Sequence, residues 1–359
     1  MTPVFPNARI VCLPIADGGE GTVDAVLEAA GGRRKSLQVR GPRGKKVTAS
    51  YGLLDGGRAV LEMAEASGIT LIPEAERNPL ETSTYGTGEL IRDALDEGCS
   101  EMLLGIGGSA TNDGGMGMAA ALGYRFLDAD GRELDGKGAT LSRIASIDAT
   151  RADPRLKSLS ISVACDVSNP LTGPDGASAV FAPQKGATPA MVRELDAGLS
   201  RLAAVARRNL GVEMESQPGA GAAGGLGGGL IAFAGARLMS GIEAVLDLIR
   251  FDDHLEGADL VITGEGAIDG QTRYGKVPSG VARRARRKGV PVVALVGEIR
   301  EGADSVYDLG IGAIYCIMDR AMSLDAAMAG AGPLIEAAAG RLGRTLRTGM
   351  EMRAPPATR

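Results

Sequence analysis

The sequence predicts a two-domain α/β protein, on three observations. Short apolar runs with strand character alternate with stretches of helical period, the pattern of a mainly parallel sheet covered by helices. Several runs end in polar, Gly-rich turns, where open α/β sheets place their ligands. The chain has 359 residues, enough for two domains of about 100–200 residues each.

The first run, residues 8–15, reads as a strand leading through Asp17-Gly18-Gly19-Glu20-Gly21 into a helix over 23–30. Thr82-Ser83-Thr84-Tyr85-Gly86-Thr87-Gly88-Glu89 then precedes a helix over 90–95. A strand over 101–106 opens into a loop that ends at Gly114-Gly115, with a helix over 116–122 behind it. Residues 159–165 form a strand that stops at Asp166. Val192, Leu195, Leu199, Leu202 and Val205 set a helix over 191–210 by their near-3.6 spacing. The stretch 219–229 is almost all Gly and Ala and reads as a tight loop presenting backbone N–H groups. A strand over 258–263 ends in Gly264-Glu265-Gly266, followed by a helix over 281–288 and strands over 290–296 and 313–317. The tail, 348–359, lacks periodicity and reads as disordered.

Composition removes several classes of function. Net charge is -5 and aromatic residues make up 3% with no Trp, so neither a basic field nor a stacking platform for nucleic acid is present. Four dispersed cysteines, Cys12, Cys99, Cys165 and Cys316, make no zinc cluster or disulfide framework and fit a reducing, cytoplasmic setting. His254 is the single histidine, so proton transfer falls to carboxylates, Lys, Tyr or Cys; it reads as a surface or packing residue. No apolar stretch approaches the ~18 residues of a membrane span. Gly is the outlier, at 54 of 359 residues, about twice the usual share of ~7%.

The loops that carry chemistry follow from that excess. Gly105-Ile106-Gly107-Gly108-Ser109-Ala110, with Asp128 further on, fits a dinucleotide-binding pattern. The loop continues through Thr111-Asn112-Asp113, which is long and polar for a strand-to-helix turn, so phosphate cradling by N–H groups ranks above nicotinamide binding. Gly270-Gln271-Thr272-Arg273-Tyr274-Gly275-Lys276 has the outline of a Walker A loop but carries Val277 where Ser or Thr would hold magnesium. Glu265 and Asp269 beside Lys276 suit Mg²⁺ and phosphate together. Thr84 and Thr87 either cap their helix or bind an anion. Asp17 and Glu20 either favour the helix dipole or hold metal or substrate hydroxyls. Asp166, at the end of an apolar strand, reads as functional. The basic run 283–288 reads as the exposed end of a helix.

Taken together and in order, these loops resemble the bacterial type I glycerate kinases, over residues 4–343. The resemblance implies ATP-dependent, Mg²⁺-assisted phosphorylation of D-glycerate, usually to the 2-phospho product. It implies a Rossmann-like domain built from both chain ends, 1–50 and 265–347, with an α/β domain, 51–264, inserted and the site in the cleft between them. On the residue chemistry, Asp166 or Asp17 is the base or hydroxyl-orienting group, Lys276 binds phosphate, and Glu265 and Asp269 stand near Mg²⁺. Gly18, Gly19, Glu20, Thr84, Thr87, Gly107, Gly108, Ser109, Asn112, Asp113, Gln271 and Thr272 complete the expected substrate and phosphate contacts. Similar proteins open with a further strand–loop–helix unit bearing a Pro-Asp-Ser-Phe-Lys-Gly-Ser-like motif. Met1 falls after that unit, and the expectation is a start assigned too late. The competing readings are an NAD-linked oxidoreductase of a small hydroxy acid and an inactive glycerate-binding protein. The partners expected are glycerate and ATP, with neither nucleic acid nor membrane; oligomeric state stays open.

Overall fold

The computed structural model describes residues 3–273 and 275–353. The chain forms two compact units, one from Pro14–Ile249 and one from the two chain ends, Met1–Leu13 and Arg250–Arg359.

The larger unit is built on a six-stranded sheet in the order β1-β2-β3-β4-β7-β8. Its strands are β1 (Arg33–Arg40), β2 (Lys46–Leu54), β3 (Arg58–Glu62), β4 (Glu101–Gly105), β7 (Ser160–Ala164) and β8 (Arg237–Met239). Between β4 and β7 a small antiparallel pair, β5 (Arg125–Leu127) and β6 (Ser146–Asp148), stands as a separate sheet. The main sheet is mixed. β1, β2 and β3 pair antiparallel, whereas β3, β4, β7 and β8 run parallel. The hairpin from β1 to β2 turns through Gly41–Lys45, with Gly44 at φ 82 and the Gly41 N–H donating to the Lys45 carbonyl at 2.6 Å. Pairing of β2 with β3 ties residues 33–54 to this unit, against the expected division at 50/51, and the unit begins at Pro14.

Strand β4 and the helices expected around it form almost where the pattern sets them. The helix Pro189–Leu210 starts with Thr188 accepting from the Met191 N–H, carries Pro at its first position and stops at Gly211, φ 71. Its buried face, including Leu195, Leu199, Leu202 and Val205, packs into one core with Tyr51, Leu61, Phe126 and Phe233. Burying each such aliphatic side chain contributes about 1.5–3 kcal/mol. The tyrosine hydroxyl of Tyr51 is satisfied by Asp93 at 2.6 Å, which lets a polar atom share that core.

The smaller unit holds a parallel sheet in the order β11-β10-β9, from β9 (Val261–Ile268), β10 (Val292–Ile299) and β11 (Ile311–Cys316). Residues 251–264, expected in the inserted domain, belong here because β9 pairs with β10. Leu334, Ala338 and Leu342 of the helix Ala331–Arg353 pack on Val293 and Leu295.

Three expectations are corrected. Residues 8–15 form no strand, and Ile10 and Val11 are exposed. Residues 348–353, expected to be disordered, continue the last helix, with the Thr348 hydroxyl donating to the Arg344 carbonyl one turn back at 3.0 Å; residues 354–359 lie outside the described residues. The basic run is not wholly solvated, since Arg284 is 8% exposed and pairs with Asp252 at 3.2 Å. His254 is exposed, and the four cysteines are free thiols. Among the described residues no helix is long and apolar enough to cross a membrane.

Candidate active site

The parallel half of the six-stranded sheet decides where chemistry can gather. Beyond the carboxyl ends of β4, β7 and β8 the chain continues as Ile106-Gly107-Gly108, Cys165-Asp166 and Ser240-Gly241. In a parallel sheet these ends lie on one edge, where the backbone leaves the ladder and side chains face a crevice. A cavity of about 500 Å³ opens there within the larger unit, lined among others by Asp17, Gly108, Ser109, Asp166 and Lys185.

Asp17 and Asp166 are brought together by glycine. A Cβ on Gly18 would overlap Ala164 at the end of β7, and one on Gly241 would overlap the Asp17 carbonyl. The loop after residue 16 therefore lies backbone against backbone on the sheet edge. Glu62, 8% exposed at the end of β3, fixes the far side of that loop by accepting the Val23 N–H at 2.8 Å. Burial pushes the Glu62 carboxyl up, against the N–H groups of Val23 and Gly21. Ala in place of Gly241 is expected to destabilise the protein by about 1–3 kcal/mol through this overlap. Urea unfolding would read it, with Gly21→Ala, which meets no neighbour and carries only the strain of φ 85, as the comparison.

Asp166 is exposed as a residue, but its carboxylate gives up part of its water to accept the Gly241 N–H at 3.1 Å. Loss of water raises its pKa, the Gly241 N–H opposes the rise, and the charge of Asp17 adds to it. A carboxyl held nearer to neutrality is suited to take a hydroxyl proton. The N–H groups of Gly107, Gly108 and Ser109 have no acceptor among the described residues, and all three residues line the cavity. They are available to an anion.

Other expected residues lie elsewhere. Gly18 and Gly19 line the cavity; Glu20 is exposed and does not. Thr84, Thr87, Asn112 and Asp113 are fully buried and outside the lining. Asp113 accepts from the Thr84 N–H and hydroxyl, both at 2.7 Å, and from the N–H groups of Gly115 and Gly117 at 3.2 and 3.1 Å. Burial raises its pKa and these hydrogen bonds oppose the rise. Thr87 shares a 2.8 Å hydrogen bond with Ser67. Asn112 donates to Ser178 at 3.0 Å. The place of these four suits support of the loop.

The Gly/Ala stretch is not a simple loop before a helix. Ala223, Gly224 and Gly225 take left-handed angles inside the helix Ala222–Ala234. A Cβ on Gly224 would overlap the Thr111 carbonyl, and the Gly114 N–H donates to the Gly224 carbonyl at 3.1 Å. This turn buttresses the loop from behind.

In the smaller unit β9 runs through Glu265, which pairs with Val296, so Glu265 stands inside a strand and Asp269 just past its end. Asp269 Oδ1 accepts from the N–H groups of Gln271 and Thr272, at 2.9 and 3.1 Å, and from the Thr272 hydroxyl. Burial pushes the Asp269 carboxyl up, but the Gln271 N–H, the Lys276 charge and Thr272 outweigh it and leave the pKa lowered. Gln271 is exposed, Thr272 buried, and Lys276 immediately precedes the helix Val277–Arg287. Four residues of extended strand separate Glu265 from Asp269 by about 13 Å at Cα. That span does not suit two carboxylates on one ion. A cation carried on nucleotide phosphates and touched by the single carboxylate of Asp269 fits the residues present.

Lys185 was not anticipated from the sequence. It is 2% exposed, lines the cavity and donates to the Ser109 hydroxyl at 2.6 Å and the Thr111 carbonyl at 2.7 Å. Asp128, the acidic residue of a nicotinamide reading, is tied to Asp130, Arg132 and Arg143 in the turn after β5, away from the main sheet. The segment from β4 to β5 is thus no βαβ unit, and the dinucleotide pattern loses its structural context.

A family model described as the glycerate kinase family matches residues 1–347. A glycerate kinase of Halalkalibacterium halodurans is 52% identical over 338 residues, covering 94% of this chain and 89% of that one. The glycerate 2-kinase of Escherichia coli is 47% identical over 348 residues, covering 97% and 91%. The crystal structure of a Salmonella typhimurium protein assigned as glycerate kinase 2 superposes with a TM-score of 0.88 at 47% identity, covering 98% and 92%.

Proposed function

This chain belongs to the glycerate kinase family, and from that membership we propose that it transfers the γ-phosphoryl group of ATP to D-glycerate, at the 2-hydroxyl. One observation carries the reading beyond family membership. The cavity at the carboxyl ends of β4 and β7 joins two carboxylates, Asp17 and Asp166, to the acceptor-free N–H groups of Gly107, Gly108 and Ser109. Phosphoryl transfer asks for positioning and charge stabilisation more than for a reactive nucleophile, and these are the groups it uses. Asp166 takes the hydroxyl proton, with Asp17 orienting the substrate. The N–H groups stabilise negative charge on phosphate or carboxylate oxygens. Magnesium, arriving with ATP, would neutralise phosphate charge next to Asp269, and Lys276 would add a cation to the same phosphates. The 2-hydroxyl is favoured by the glycerate 2-kinase of Escherichia coli among the relatives.

The test is ADP release from the purified chain with Mg-ATP and either enantiomer of glycerate. D-glycerate is expected to drive turnover at least about tenfold above L-glycerate, since a mis-set hydroxyl forfeits at least ~1.4 kcal/mol of alignment. Equal rates with both enantiomers, or none with either, would refute the reading.

A further inference from the structure

Lys185 ends the short turn Pro183–Lys185 and is one of the few charged side chains buried in the protein. Its ammonium group has three N–H donors. Two of them meet uncharged acceptors, the Ser109 hydroxyl and the Thr111 carbonyl, and the third has no partner among the described residues. Among the described residues no carboxylate forms an ion pair with it, and the charge of Asp113 acts on it without contact. Burying a cation against neutral groups is costly, and protein cores rarely keep one without a counter-ion. A counter-charge in direct contact can come from the cavity, because Lys185 is part of its wall and the single cation among its lining residues. The loop that holds it also carries the free N–H groups of Gly107, Gly108 and Ser109, so an anion there would meet a charge and backbone donors together.

We propose that Lys185 binds the carboxylate of the hydroxy-acid substrate and makes the site select acids over neutral polyols, with Ser109 and Thr111 aiming its ammonium group. The assignment rests on the glycerate reading above. Asp166 then serves the hydroxyl end of the same molecule, which separates the two charges of the cavity by function. The charged groups around Lys185 are Asp113 in the loop beneath it, Asp17 and Asp166 in the cavity, and Arg77, whose backbone abuts Gly186. Burial brings the lysine down to about 7, with Asp113 pulling it back up. The free protein therefore loses the charge of Lys185 as pH rises through that value, and an acid substrate needs the charged form.

Two measurements decide it. In Lys185→Met the KM for D-glycerate is expected to rise about 30-fold or more, while the KM for ATP moves less than about threefold. In the wild-type protein kcat/KM for D-glycerate is expected to fall about tenfold per unit on the alkaline side of a pKa near 7, whereas Lys185→Arg, which stays charged, lacks that limb. A rise in the KM for ATP instead would place Lys185 on a phosphate and overturn the proposal. So would an unchanged KM for glycerate in Lys185→Met. Where Lys185→Met fails to fold, the wild-type protein decides by its selection of D-glycerate over the neutral polyol glycerol, and a preference in kcat/KM below about tenfold overturns the proposal. Absence of D-glycerate-dependent ADP release in the wild type would remove the functional reading as well, and is seen before any variant is made.

Discussion

Asp166→Asn is expected to lower kcat for glycerate phosphorylation by about 10²–10⁴-fold, the range for a positioned general base, with the KM for ATP little changed. The amide keeps the acceptor oxygen that meets the Gly241 N–H at 3.1 Å, so the loop after β7 holds its place and only the proton-accepting group is lost. Wild-type kcat should fall toward low pH as Asp166 takes up its proton, at a pKa above that of an ordinary aspartate because of lost solvent and the neighbouring Asp17. The linkage to stability has the opposite sense. A carboxyl whose folded pKa is raised stabilises the fold below its unfolded value, and that contribution is lost as pH rises through the folded value. At pH 7 the charged Asp166 is therefore a liability, and the Asn variant should be no less stable than wild type. Thermal unfolding of the variant alongside its kinetics separates the two effects. A variant with full kcat would remove Asp166 from the chemistry.

Asp113→Ala is expected to cost about 3–5 kcal/mol of stability, read by urea unfolding. Four donors converge on this fully buried carboxylate, the N–H and hydroxyl of Thr84 and the N–H groups of Gly115 and Gly117. Each donor left buried without an acceptor costs about 1–3 kcal/mol, tempered by relaxation. Asp113→Asn keeps one acceptor oxygen and should lose less than half as much. The loss should reach the cavity, because Asp113 ties the helix Tyr85–Asp96 to the loop whose Ser109 and Thr111 hold Lys185. A surviving Asp113→Asn protein should thus show a raised KM for glycerate before it loses kcat. Full stability in the alanine variant would show that water enters to satisfy the four donors.

Strand β9 shows why part of the architecture escaped the linear pattern. Gly264-Glu265-Gly266 has the composition of a loop, yet the ladder to β10 continues through it because pairing depends on a partner 31 positions away, Val296 beside Glu265. Strands β1 and β2 were hidden for a related reason. Arg33 and Lys35 stand on the face that Leu37 and Val39 share and cut its apolar run short, as charged residues on an edge strand do. Conversely 8–15, apolar enough for a strand, finds no neighbour to pair with.

The residues of the sequence by themselves determined the alternation of strands and helices, the Gly-rich loop after β4, and Asp166 at a strand end. All of these depend on local backbone freedom and on near neighbours in the chain. Only the tertiary structure decided that Thr84, Asn112 and Asp113 sink into the core while Lys185 joins the cavity wall. Burial of a polar group is settled by partners distant in sequence, such as the Ser109 hydroxyl 76 positions from Lys185. No local pattern of residue types records a hydrogen bond of that range.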